Sequence, residues 1–397
     1  MRNNIFELTT EELKNIANNL QEKIEEGLVK EKMEILCIPT HISPKEEIND
    51  GKVLALDWGG TNFRAAIVEF KDGKPSIIGS QKKRLLDKET TTGFKREDLF
   101  QKMAVTISEL EYLDETVTQI GYCFSYPARC EVNGDATLLR WTKGINIPDM
   151  IDEPVGLHLL NYLNSHKDIK TTFTNIKVLN DTVACLFNGL SEKGFDTYIG
   201  LIVGTGTNMA SLMRLDKIEK LNNKESGSIP INLESGNFYP PYLTVIDGLV
   251  DAMSNNKGSQ RFEKAISGGY LGEIFKTVFS NEKIKYNFDG EDLSNTLTGN
   301  PNDFCKEKVE VARQICDRSA KLVAASIAGL AQVVVKQDSG IKKIGLAADG
   351  SVFWKTPVYK NLVETELKTL LPNGVSVTVL PEMGDPNLIG SAIAALS

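Results

Sequence analysis

Hydrophobic positions along the chain recur with two periods, and each change of period marks an element. Behind Thr9 and Glu12, which have capping-box spacing, Leu13, Ile16, Leu20, Ile24 and Leu28 fall on one stripe and predict an amphipathic helix over 8–28, docked on the body. The mixed stretch 29–52, with Pro39 and Pro44, reads as a crossing segment. Two apolar runs within 53–69 flank a glycine turn, and a third strand is predicted at 77–85. Leu99, Met103, Ile107 and Leu110 then have helical spacing, and a strand follows at 118–124, which makes this an α/β domain.

Farther on come a strand at 175–179, a helix at 183–190 and a second pair of apolar runs within 198–213. A helical pattern over 262–279 is interrupted by Gly268 and Gly269, and a long helix over 308–335 is apolar enough to be buried. Strands are predicted at 341–347 and 375–380, and helices at 359–371 and 387–396. The stretch 251–259 reads as exposed and 281–303 as a loop-rich excursion.

The turn DWGGTN carries the first candidate chemistry. Gly59 and Gly60 leave no Cβ in the way, so consecutive N–H groups can converge on an anion such as a phosphate. Asp57 is placed to hold Mg²⁺ through water, and Thr61 and Asn62 to bond phosphate oxygens. Taken alone, the stretch reads equally as an ordinary hairpin. VGTGTN, with Gly204, Thr205 and Gly206, repeats the arrangement, so the expectation is a duplicated fold with one phosphate-gripping turn per domain. Ligands of open α/β sheets bind beyond the carboxyl ends of strands, which places Ser125 and the Thr142, Lys143, Gly144 turn for contact. Asp181 stands at a strand-to-helix junction, where a carboxylate is either an N-cap or a working group. Glu234 lies among small residues, and Glu273 by itself reads as an exposed helical glutamate.

Composition narrows the choice. With 397 residues the chain has room for two domains, and its net charge of -8 argues against a general nucleic-acid or anionic-membrane binder. A phosphate site must then be local, built from backbone amides and a metal. The 6 cysteines, at 37, 123, 130, 185, 305 and 316, form no CxxC pair and fit reduced thiols in the cytoplasm. His41, His158 and His166 are too few and too scattered for a histidine metal site or a Ser-His-Asp triad. No signal-peptide pattern opens the sequence, and the apolar region 322–335 is shorter than the roughly 20 residues of a membrane span. A soluble protein without membrane partners is expected.

Seven segments, LALDWGGTNFR, FSYPAR with LLRWTKG, LNDTVA, GLIVGTGTN, NLESGNF, FEKAISGGYLGEIF and GLAADGS, resemble in content and order the hexokinases, ATP-dependent sugar kinases, from about Val53 to Ala395. The resemblance implies a two-domain α/β fold of the actin-like ATPase (ribonuclease H-like) type, duplicated, with an interdomain cleft that closes over the sugar. The expected layout is a segment 1–50 packed on the large domain, a small domain over 51–179, a large domain over 180–384, and a helix over 385–397 returning to the small domain.

The activity it implies is transfer of the γ-phosphoryl group of Mg-ATP to the 6-hydroxyl of glucose and related hexoses, with Asp181 as general base and Lys143 beside it. Ser125, Thr142, Lys143, Asn180, Asp181, Asn208, Glu234 and Glu273 match sugar-contacting positions. Asp57, Gly59, Gly60, Thr61, Asn62, Arg64, Gly204, Thr205, Gly206, Asp349, Gly350 and Ser351 match the nucleotide side, with Asp57 toward the metal through water. One departure stands at 381–390, PEMGDPNLIG, where the family has a Ser-Gly-basic-Gly turn that holds the nucleotide. That bears on the choice of phosphoryl donor. The alternatives are a kinase using another donor and a non-catalytic sugar sensor on the same fold. Repressor-related bacterial glucokinases carry a Cys-rich zinc motif that this sequence lacks, and an actin-like or chaperone ATPase would have no use for the sugar segments. A cytoplasmic monomer or homodimer is expected.

Overall fold

The glycine turn at 59–60 sends one buried strand back along another: Gly51–Trp58 pairs antiparallel with Asn62–Lys71, setting Asp57 opposite Arg64. The protein is described by a computed structural model that covers residues 4–45, 47–60, 62–86, 93–223, 225–282, 284–299 and 305–397. It divides into two compact units, one of Met1–Cys37, Gly194–Ser226 and Leu233–Glu382, the other of Ile38–Lys193, Gly227–Asn232 and Met383–Ser397.

In the second unit the hairpin is continued on one side by Lys74–Arg84. On the other side stand Gln119–Phe124 and then Asn175–Leu179, both parallel to Gly51–Trp58. The three parallel strands therefore end on one edge of the sheet, at Trp58, Phe124 and Leu179. Beyond that edge lie the candidate residues Gly59, Ser125 and Asn180. One face is covered by Arg96–Ser108 and by Val155–Ser165, a helix behind Pro154 that the sequence reading passed over.

The helix Pro386–Leu396 packs on the strands and on the helix Asp181–Gly189. Small residues allow the approach: a Cβ on Gly121 would lie 1.9 Å from Ser391 O, and one on Gly390 would lie 1.8 Å from Ala184 O. This packing places residues 180–193, expected with the larger domain, in the second unit.

The first unit repeats the plan. Thr207–Arg214 pairs antiparallel with Thr197–Val203, next to which Lys343–Asp349 and then Ser376–Val379 run parallel. Lys306–Gln337 extends the predicted long helix to 32 residues. It is long and apolar enough by composition to cross a membrane, but 78% of its apolar window is buried in the fold. Its Gly329 lets the N-terminal helix Thr10–Val29 come close, since a Cβ there would lie 2.5 Å from Ala17 O. The Thr9–Glu12 capping box forms as its spacing predicts.

Two stretches differ from the sequence reading. Asp251, placed on an exposed segment, is buried because Lys264 Nζ donates to its carboxylate at 2.7 Å and two such charges are held out of water only as a pair. Within 281–303 the described residues include the helix Gly290–Thr298, closed by an Asp289 capping box and seated by Leu293.

Replacing Gly121 by alanine is expected to lower the unfolding free energy by about 2 kcal/mol or more, as overpacking in a closed core does. Denaturant unfolding checks it, and a wild-type midpoint would show that the C-terminal helix does not lie against this strand.

Candidate active site

Three strand ends and one distant lysine build the centre of the second unit. Lys143 adopts a left-handed backbone (φ 58°) in the turn after Trp141. Its ammonium donates to Ser125 O at 2.9 Å and to Gly59 O, and lies 5.2 Å from the centre of the Tyr126 ring. One cation thus ties the first glycine turn to the Ser125 loop. Gly59 has to be glycine, because a Cβ would lie 2.8 Å from Ser125 Cβ. Tyr126 and Trp141 pack edge to face 4.9 Å apart, and Trp58 lies 5.2 Å from Tyr126, so the platform under Lys143 is rigid and apolar.

Asp181 opens the helix that follows the third strand, and its neighbour is the cap: Asn180 Oδ1 accepts from Thr182 N at 2.8 Å. The carboxylate of Asp181 accepts from the same N–H at 2.8 Å and keeps its second oxygen for other work. Burial pushes its carboxyl above the ordinary carboxylate range; Lys143 and the Thr182 N–H pull it back, and the charge of Asp57 pushes it up again. The net direction is upward.

Asp57 faces Arg64 across the hairpin. Arg64 Nε and Nη2 donate to Asp57 Oδ2 at 2.9 and 2.6 Å, and Asn387 Nδ2 donates to Oδ1 at 3.4 Å. The remaining edge of Arg64 donates through Nη1 to Asp385 at 2.5 Å. Asp385 and Asn387 lie in PEMGDPNLIG, so the departing segment closes on the first candidate turn. Gly60 has open space before it, Asn62 opens the returning strand, and Thr142 O accepts from Ile145 N at 3.2 Å to close the lysine turn. Thr61 lies outside the described residues.

In the first unit the turn 204–206 is held from behind by backbone. Gly268 N and Gly269 N, at the start of the helix Gly268–Val278, donate to Gly204 O at 2.7 Å and Thr205 O at 3.1 Å. A Cβ on Gly269 would lie 2.7 Å from Thr205 O, which is the reason the helical pattern breaks at these glycines. Glu263 Oε2 accepts from Thr207 N at 3.0 Å and would meet a Cβ on Gly206 at 2.7 Å. Gly350, in a left-handed backbone (φ 113°), touches the same turn, since a Cβ there would lie 2.3 Å from Val203 O. Asp349 ends its strand and Ser351 opens the next helix, so the GTG and DGS turns abut.

Asn208 follows the turn, and its Oδ1 accepts from Ser235 N at 3.1 Å. Its Nδ2 donates to Glu234 at 3.5 Å, which joins two of the candidate sugar residues through the left-handed Glu234 backbone (φ 57°). Glu273 stands apart from this pair, accepting from Lys276 at 2.7 Å. The sequence reading missed Glu263, Asp385 and Asn387. The break at Gly268–Gly269 was visible in the helical pattern, but nothing local marks Glu263 as a partner of a turn 56 residues away.

Among the described residues no group of three His, Cys, Asp or Glu side chains could enclose a metal ion. Mg²⁺ bound to a nucleotide needs no such cage, because phosphates and water supply most of its ligands. Asp57, whose oxygens already accept from three donors on two side chains, suits contact through water.

A family model described as Hexokinase matches residues 3–190, and a second of the same description matches 198–297 and 291–397. Hexokinase-1 of Spinacia oleracea is 30% identical, with the match covering 97% of this chain and 87% of that one. Among solved structures, a hexokinase from Schistosoma mansoni complexed with glucose superposes with a TM-score of 0.81 at 24% identity, covering 99% of this chain and 96% of that one. A ROK family glucokinase from Streptomyces griseus gives 0.54 at 18% identity, covering 87% and 99%.

Because the folded state raises the Asp181 pKa, the ionised carboxylate costs stability at neutral pH. That cost disappears as the pH falls through the raised value toward the ordinary 3.8. Asp181→Asn is therefore expected to unfold at a higher temperature than wild type near pH 7, with the gain vanishing in acid. A lower midpoint at neutral pH would mean that the charge is stabilised where it stands.

Proposed function

The chain belongs to the hexokinase family, ATP-dependent hexose kinases of the actin-like ATPase fold, and from that premise we propose that it transfers the γ-phosphoryl group of Mg-ATP to the 6-hydroxyl of glucose and related hexoses with Asp181 as general base. The observation that carries this reading is the placement of Asp181: a carboxylate at the first residue of the helix that follows the third parallel strand, in the field of Lys143, with the helix cap supplied by Asn180. A sugar hydroxyl is a poor nucleophile, and a positioned carboxylate that takes its proton as the bond to phosphorus forms contributes about a hundredfold to ten-thousandfold in rate.

Lys143 lowers the Asp181 pKa against the effect of burial and is fixed by Gly59 O and Ser125 O, so it needs no reorganisation during the reaction. Ser125, Thr142, Lys143 and Asn180 in the second unit, and Asn208, Glu234 and Glu273 in the first, are assigned to the sugar. Their hydroxyl, amide, ammonium and carboxylate groups match a ring of alternating donors and acceptors. Each hydroxyl left unpaired would cost on the order of 1 to 3 kcal/mol, which makes such a set selective for hexoses. Glu273, now on Lys276, has to exchange that partner for a hydroxyl.

Gly59, Gly60, Thr61, Asn62 and Arg64 of the second unit, and Gly204, Thr205 and Gly206 of the first, are assigned to the phosphates. Asp349, Gly350 and Ser351 are assigned to the adenosine. Mg²⁺, held through water by Asp57, would neutralise charge on the transferring group. We place the protein in the cytoplasm as a monomer or homodimer; its 6 cysteines are all free thiols.

The test is ADP release from Mg-ATP with glucose, fructose, mannose, N-acetylglucosamine or no sugar. Sugar-dependent release is expected, falling at least about a hundredfold in Asp181→Ala while calorimetric glucose binding persists. Glu234→Ala and Glu273→Ala should chiefly weaken sugar binding. Near-normal turnover in Asp181→Ala would remove the base. Glucose binding without ADP release in the wild type would favour a sensor or another phosphoryl donor.

A further inference from the structure

Arg64 is enclosed by carboxylates on both sides. Asp57 occupies its Nε–Nη2 edge through one oxygen, and Asp385 occupies Nη1. A guanidinium recognises phosphate through this kind of paired N–H edge, so all three Arg64 nitrogens already donate to this protein's own acids. The local sum, one positive charge against two negative, repels the anionic end of a phosphoryl donor.

Asp385 also stands where its side chain has another use. It is the residue before the helix Pro386–Leu396, where an aspartate ordinarily caps the first N–H groups, yet it makes no side-chain cap. Pro386 at the first helical position has no N–H to offer, and Leu388 N and Ile389 N donate to the Asp385 carbonyl instead. The left-handed backbone at Asp385 (φ 46°) turns its carboxylate out toward Arg64. The side chain is 48% exposed, so this is a surface pair that an incoming anion can displace.

We propose that Asp385 is a positioning residue that competes with the phosphoryl donor for Arg64, so that donor affinity is set by exchange of a carboxylate for a phosphate on one guanidinium. The proposal rests on the assignment of Arg64 to the nucleotide phosphates. It makes the segment 381–390 a determinant of donor affinity through charge.

The experiment measures KM for ATP and for glucose in wild type, Asp385→Asn, Arg64→Ala and the double variant, at low and high salt. Asparagine keeps the shape and tolerates the left-handed backbone. Asp385→Asn is expected to lower KM for ATP by about two- to fivefold, the range that an exposed ion pair commands, with KM for glucose unchanged. The gain should shrink at high salt, where exposed charges are screened, and should be absent in the Arg64→Ala background. A residue that merely braced the fold would raise KM on removal, whereas this one lowers it.

If Arg64→Ala raises KM for ATP but Asp385→Asn leaves it unchanged or raises it, the competition is refuted and the assignment of Arg64 stands. If Arg64→Ala leaves KM for ATP unchanged, the assignment itself fails and the proposal with it. Arg64→Gln serves the same comparison should the alanine variant not fold, because it keeps a side chain of similar reach without the charge that Asp385 pairs with.

Discussion

A carboxylate set at the start of a helix, partly withdrawn from water and in the field of one lysine, is the constraint around which this molecule is built. Burial raises the pKa of Asp181, and Lys143 opposes that. Lys143 can do so only where the fold holds it, by Gly59 O, Ser125 O and the face of Tyr126. Each of those anchors follows a parallel strand of one sheet, so the strand register Leu56–Tyr122 and Tyr122–Val178 fixes the spacing of the charges. The C-terminal helix, which packs on these strands by glycine contacts, shares in that placement.

The first unit solves a different problem with backbone. A glycine turn packed against other backbone must have its carbonyls satisfied elsewhere. Gly268 N and Gly269 N satisfy them, Glu263 holds the N–H that follows, and Gly350 fills the space behind. The turn is braced by the fold itself, and the helix that braces it carries Glu273 little more than one turn later.

Most of the fold was legible because its signals are local. Apolar runs around glycine turns gave both hairpins, the Thr9–Glu12 spacing gave the first helix, and the long apolar stretch gave the core helix. What escaped depends on partners distant in sequence. Asp251 looks exposed in its polar context until Lys264 is folded against it, and Asp385 meets Arg64 across 321 residues. The candidate site was assigned residue by residue through resemblance, and the structure joins Asp57 to Arg64, Asn208 to Glu234, and Lys143 to the loops at Gly59 and Ser125. It did not join Glu273 to the Asn208–Glu234 pair, because Lys276 one turn away satisfies that carboxylate first.

The electrostatic account of Asp181 is tested most directly by the pH dependence of kcat/KM for glucose, in wild type and in Lys143→Met. A base must be ionised to act, so activity falls on the acid side with the pKa of that group in the free enzyme. The account predicts an acid limb above the ordinary carboxylate range that moves to still higher pH when the lysine charge is removed. A limb at the ordinary carboxylate value, unmoved in Lys143→Met, would contradict it.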